Sequence, residues 1–218
     1  MRQWLAQWTG HLVVGFARVL TGVRAYWTAL GTPRASQTTL YFANHSSHGD
    51  FVLIWATLPP GLRACTRPVA AADYWGSSPL RRFVGSEVFR AVLIDRVPRP
   101  DGPDPVRQMA QALQAGDSLI MFPEGTRNTG DEPLLPLKSG LYRLARDCPG
   151  ARLVPVWIEN LKRVLPKGTL VPLPLACAVR YGDPLELRDG EDKAGFLARA
   201  RAALLELRPD YDREEGAA

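Results

Sequence analysis

The strongest constraint on the fold is an alternation. Short apolar runs of four to eight residues are separated by longer amphipathic stretches, again and again along the chain. Runs too short for a buried helix, interleaved with helical periodicity, describe strands alternating with helices. The spacing predicts strands over 38–43, 68–72, 91–95, 118–122, 153–158 and 176–181, and helices over 50–58, 78–88, 105–114, 138–147 and 191–207. The expected fold is α/β: one domain with a central mixed sheet flanked by helices. Pro105 suits a helix start, and Gly116 follows that helix's expected end. Residues 96–105 read as an exposed Pro- and Asp-rich loop. The 218 residues suffice for one core, and no linker divides them. Three cysteines (Cys65, Cys148, Cys177) do not make a disulfide framework.

The first 49 residues differ in charge from the rest. They hold four arginines (Arg2, Arg18, Arg24, Arg34) and no acid, whereas the remainder is nearly neutral. The longest uncharged run there, residues 3–17, is shorter than the roughly 20 residues a spanning helix needs. Trp4, Trp8, Leu12, Phe16, Val19 or Leu20, Val23 and Trp27 recur every three or four residues. That is the apolar stripe of one helix, with Arg18 and Arg24 off it. Residues 1–35 are therefore expected to form an amphipathic segment on a membrane surface, its tryptophans at the interface and its arginines near headgroups, ahead of a domain over 36–218. A helix packed on the domain body has the same periodicity.

Chemistry concentrates in two places. Two of the three histidines fall in Asn44-His45-Ser46-Ser47-His48-Gly49-Asp50, between a predicted strand and a predicted helix. Catalytic groups of α/β folds sit at such strand ends. On a continuous helix His45 and Asp50 would point apart. With His45 in the turn and Asp50 in the first helical turn they can meet, and the carboxylate can then fix the imidazole tautomer. Such a pair, without a nucleophile motif, suits a base acting on a substrate hydroxyl. Two readings compete: His45, His48 and Asp50 as ligands of a metal in a hydrolase, or a helix start capped by Ser47 or Asp50.

The second place is Phe122-Pro123-Glu124-Gly125-Thr126-Arg127, after the apolar run 118–121. Gly125 permits close backbone approach to a ligand. Thr126 offers a donor, and Arg127 a planar fork matched to phosphate. The bland alternative is a strand-exit turn in which Glu124 and Arg127 form a solvated ion pair.

The ordered pair of motifs resembles the glycerolipid acyltransferase family, whose best-known members are 1-acyl-glycerol-3-phosphate acyltransferases. Residues 93–96 (Leu-Ile-Asp-Arg) and 154–156 (Val-Pro-Val) resemble two weaker family blocks, so the resemblance covers roughly residues 40–158. Arg90 and Leu93 stand where the family usually has glycine and phenylalanine, and Ala71-Ala72-Asp73 lacks a lysine often seen there. Arg90 is expected to bring a cation close to the site.

The resemblance implies an acyltransferase without a cofactor or metal. His45 and Asp50 would be catalytic, and Arg96, Glu124, Gly125, Thr126 and Arg127 would bind substrate. The acceptor would be a lysophospholipid, most simply 1-acyl-glycerol 3-phosphate, and the donor acyl-CoA or acyl carrier protein. The expected location is the cytoplasmic face of a membrane. Another lysolipid or an acylated amino acid is an alternative acceptor. A catalytically silent lipid-binding protein would not need the His–Asp pair. Nucleic-acid binding lacks a recognisable module or an aromatic-basic face, and no phosphate loop or dinucleotide fingerprint occurs. Residues 169–179, beside Lys162, Arg163 and Lys167, read as a buried strand and its approach, or else as an acyl groove with a basic rim.

Overall fold

The computed structural model describes residues 2–32, 37–95, 102–159 and 177–209, with the side chains of residues 2 and 3 excepted. In chain order the elements are α1 (Arg2–Thr21), β1 (Arg24–Trp27), β2 (Thr39–Ala43), α2 (Asp50–Thr57), α3 (Pro60–Ala64), β3 (Thr66–Ala71), α4 (Ala72–Gly76) and α5 (Pro79–Phe83). A π-helical turn (Val84–Val88) follows α5 directly. Then come β4 (Val92–Ile94), α6 (Pro105–Gln114), β5 (Ser118–Met121), α7 (Gly140–Asp147), β6 (Arg152–Glu159), β7 (Ala178–Tyr181) and α8 (Lys193–Glu206).

The seven strands form one sheet in the order β1-β7-β6-β2-β5-β3-β4. Every pairing is parallel except β6 with β7. The sheet is therefore mixed. Its central strands are buried on both faces, as parallel strands covered by crossover helices must be. In β2, alternation sends Leu40 and Phe42 to one core and Tyr41 and Ala43 to the other. The core of Tyr41 and Ala43 takes Val14 and Ala17 of α1 and Phe51, Leu53 and Ile54 of α2. The core of Leu40 and Phe42 takes Met109 and Leu113 of α6, Leu141 and Leu144 of α7, and Phe196 and Leu204 of α8.

Local sequence accounts for the helix ends. The Asp104 carboxylate accepts the Val106 N–H at 3.0 Å, with Pro105 at the first helical position. Gly116 follows α6 in the left-handed region (φ +91°). Asp192 caps α8 by accepting the Gly195 N–H at 2.8 Å. The stretch expected as one helix over 78–88 is instead α5 plus the π-turn.

The N-terminus departs from the expected single stripe. The helix stops at Thr21, where Gly22 turns left-handed (φ +54°), and Val23 and Trp27 lie beyond it. Residues 24–27 form an edge strand parallel to β7, with Trp27 stacked on Tyr181 at 3.5 Å. The three-to-four spacing persisted across this boundary by coincidence, because alternation along a short strand can continue a helical stripe. Helix α1 itself has two apolar stripes. Small residues (Ala6, Val14, Ala17) are buried against α2 and the π-turn, whereas Trp4, Trp8, Leu12, Phe16 and Val19 are exposed. A Cβ on Gly10 would lie 3.2 Å from Cη2 of Trp55, so the small residues set how closely α1 approaches the body. Arg18 donates to the Ala56 carbonyl at the C-terminal end of α2.

Candidate active site

Strands β2 and β5 are sheet neighbours in parallel register, Leu40 opposite Leu119 and Phe42 opposite Met121. Their carboxyl ends therefore open at the same rim. The histidine motif leaves β2 there, and the Pro-Glu-Gly-Thr-Arg motif leaves β5.

His45 Nδ1 lies 2.9 Å from Oδ2 of Asp50. An acceptor at that distance requires the proton on Nδ1, which leaves Nε2 with its lone pair. The imidazole is partly exposed, while the Asp50 side chain is almost fully buried. The same Oδ2 accepts the backbone N–H of Ser46 at 2.6 Å and of Ser47 at 2.8 Å. Asp50 opens α2, where the helix dipole favours a carboxylate. The two loop amides and the dipole together hold this buried charge. The N-cap of α2 is Gly49, without a side-chain bond, so Asp50 caps the preceding loop and not the helix start. The His45 ring stacks on Phe122 at 4.1 Å and 15°, which fixes its plane.

Glu124 is buried and engages the protein itself. Oε1 accepts the His45 N–H at 2.7 Å, and Oε2 accepts the Leu135 N–H at 2.8 Å. Burial raises the pKa of this carboxyl, against the lowering effect of the two amides. Thr126 and Arg127 are exposed beside it. Gly125 is left-handed (φ +69°), as the turn requires. The space where its side chain would stand holds another group of this chain: a Cβ there would lie 2.7–2.8 Å from Cε, Cδ and Nζ of Lys138. Arg96, and residues 169–176 with Lys162, Arg163 and Lys167, lie outside the described residues.

Three contributors were not among the expected site residues, although Asn44 opens the histidine motif. Asn128 donates its backbone N–H to the His45 carbonyl at 2.6 Å, so the β5 loop grips the His45 backbone from both sides. Asn44 brackets Ile158, donating to its carbonyl and accepting its N–H, which ties the β2 exit to β6. Lys138 donates its backbone N–H to Pro123 at 2.8 Å. Each works through a bond to the main chain of a residue distant in sequence, and such bonds leave no periodicity.

His48 points elsewhere, stacked on Tyr74 at 4.9 Å. Among the described residues no three His, Cys, Asp or Glu side chains converge on a point, so His45, His48 and Asp50 do not form a ligand set. Arg90 corrects an expectation: it is at the opposite end of the sheet, before β4. Its backbone is left-handed (φ +51°), and its guanidinium bonds the Ala64 carbonyl and Asp117. A conformation that glycine adopts freely explains why glycine suits this position.

The acyltransferase family model matches residues 29–159. A 1-acyl-sn-glycerol-3-phosphate acyltransferase of Limnanthes alba is 26% identical over 194 residues, covering 87% of this chain and 64% of its own length. A protein named taffazin from Dictyostelium discoideum is 28% identical over 170 residues, covering 74% and 56%. The chain thus spans less than two thirds of the length of these curated relatives, 64% and 56%. The crystal structure of the 1-acyl-sn-glycerophosphate acyltransferase PlsC from Thermotoga maritima has the same fold, with a TM-score of 0.69 at 17% identity over 95% of this chain and 81% of that one.

Proposed function

This chain belongs to the acyltransferase family, and on that premise we propose that it transfers a fatty acyl group from a thioester to the free hydroxyl of a lysophospholipid, 1-acyl-glycerol 3-phosphate foremost. The observation that carries the reading is the His45–Asp50 contact at 2.9 Å on a partly exposed imidazole. The free Nε2 accepts the hydroxyl proton as the oxygen attacks the thioester carbonyl. Asp50 stabilises the imidazolium that forms. The tetrahedral intermediate collapses, the C–S bond breaks, and the thiolate takes the proton back from Nε2. The products are an ester and a free thiol, and the imidazole is neutral again. No residue of the protein is acylated.

Arg127, exposed on the β5 loop, holds the acceptor phosphate, and Thr126 adds a donor. Arg96 is proposed as a further phosphate contact. Glu124 positions His45 through its backbone. The donor is acyl-CoA or acyl carrier protein.

Docking at the cytoplasmic face of a membrane is part of the proposal. No described helix is long and apolar enough to cross a membrane. The row Trp4, Trp8, Leu12, Phe16 and Val19 nevertheless faces solvent, and burying each such side chain releases about 1.5–3 kcal/mol. A headgroup interface supplies that burial at the surface where the acceptor resides.

The test uses the purified protein, both donor classes, and a panel of lysolipids and acylated amino acids, with products read by mass spectrometry. Acylation of 1-acyl-glycerol 3-phosphate above the other acceptors is expected. Preference for another lysolipid or an acylated amino acid would replace the acceptor. Transfer by His45→Ala at the wild-type rate would remove the general base.

A further inference from the structure

We propose that Lys138 is a further cation of the acceptor-phosphate site, beside Arg127. The inference rests on the lysophosphatidate reading above and adds the residue that selects a phosphomonoester.

Lys138 lies 13 positions beyond Gly125, yet its side chain lies across that glycine, with Cδ, Cε and Nζ all within 2.8 Å of where a Cβ would stand. The ammonium group is thus on the same turn that carries Thr126 and Arg127. Two main-chain bonds fix the segment that bears it. The Lys138 N–H donates to the Pro123 carbonyl, and the Leu135 N–H donates to Glu124 Oε2, each at 2.8 Å. Glu124 also holds His45, so the cation and the base are referenced to one carboxylate.

Lys138 is exposed, and among the described residues no carboxylate pairs with it or with Arg127. The nearest acid in the motif, Glu124, already accepts two amides. Among the described residues, the two arginines of α5 are engaged elsewhere. The Arg81 guanidinium lies over the Tyr74 ring and bonds the Ser77 hydroxyl, and Arg82 donates to the Gly76 carbonyl. The turn after β3 holds Ala71, Ala72 and Asp73 and contributes no cation.

A phosphomonoester carries close to two negative charges near neutrality. A guanidinium fork satisfies two of its oxygens, and a compact ammonium on a flexible stem can take the third. The pair therefore distinguishes a terminal phosphate from a neutral hydroxyl headgroup. Gly125 is set by its left-handed backbone (φ +69°), and its lack of a side chain leaves the space that the lysine stem occupies.

The experiment compares full-length wild type with Lys138→Met, which keeps an apolar stem over Gly125 and removes the charge. Acceptors are 1-acyl-glycerol 3-phosphate and 1-acyl-glycerol. The KM for the phosphorylated acceptor is expected to rise about tenfold or more, the size of one charge-assisted hydrogen bond, with a much smaller change in kcat. The preference for the phosphorylated acceptor should fall by the same factor, and Lys138→Arg should restore most of it. An unchanged KM would overturn the proposal. So would an equal loss on both acceptors in a variant that melts at the wild-type temperature. If wild type acylates neither acceptor, the underlying function fails and the inference falls with it. If wild type is active and Lys138→Met matches it, only the inference fails.

Discussion

The backbone N–H of His45 donates to the buried carboxylate of Glu124 at 2.7 Å, across 79 positions of sequence. One side chain of the β5 loop thereby sets the height and direction of the β2 turn that presents the imidazole. The Asn128 N–H bonds the His45 carbonyl from the same loop, and Phe122 carries the ring. The two motifs thus form one hydrogen-bonded unit at the rim of the sheet.

Removing the imidazole's partner should separate chemistry from folding. Asp50→Asn retains an oxygen for the Ser46 and Ser47 amides but cannot stabilise the imidazolium. Acyl transfer is expected to fall about 100- to 10,000-fold, with a modest loss of melting temperature. Asp50→Ala strips both amides as well and should lower the melting temperature further. Steady-state rates and calorimetry on both variants check this.

Glu124→Gln should slow transfer and alter the pH dependence of stability. A carboxamide has one acceptor oxygen, so either the His45 or the Leu135 N–H loses its partner, at a cost of about 1–3 kcal/mol. Burial raises the Glu124 pKa, so the folded protein binds its proton more tightly than the unfolded chain does. That contribution is fully present at acid pH and is lost as pH rises through the raised value. Wild type should therefore lose stability relative to Glu124→Gln on going up from the ordinary carboxylate range. Thermal melts of both between about pH 4 and pH 8 would show it.

Arg90 allows a test of backbone strain away from the site. Arg90→Ala loses the bonds to Ala64 and Asp117 and keeps a Cβ at φ +51°. Arg90→Gly loses the same bonds but relaxes the backbone. The glycine variant should be more stable than the alanine variant by about 1 kcal/mol in urea denaturation. Both should transfer acyl groups at the wild-type rate.

The two stripes of α1 should respond in opposite ways. Trp8→Ser with Phe16→Ser changes only exposed positions, so stability should move by no more than about 0.5 kcal/mol per site, while binding to anionic lipid vesicles falls. Gly10→Val pushes into Trp55 and should lower the melting temperature. Vesicle sedimentation and melting curves distinguish the two. Vesicle binding unaltered by the serine pair would remove the docking role.

The sequence by itself determined what is local. Strand runs 38–43, 118–122 and 153–158 and the ends of α6 at Pro105 and Gly116 are readable because hydrophobic period and local backbone preference act within a few residues. The residues of the site were readable for the same reason: His45, Asp50 and the Pro-Glu-Gly-Thr-Arg turn are short motifs of definite chemistry. Tertiary structure decided what depends on strand order. It placed β2 beside β5, and so brought the Glu124 carboxylate onto the backbone of His45. It made residues 24–27 an edge strand because β7 offered unpaired main-chain groups, where periodicity alone read helix. It sent Arg90 to the far end of the sheet and brought Lys138 over Gly125. Each of these is settled by main-chain hydrogen bonding and packing between distant segments, interactions whose energy depends on the neighbour and not on the residue's own surroundings in the chain.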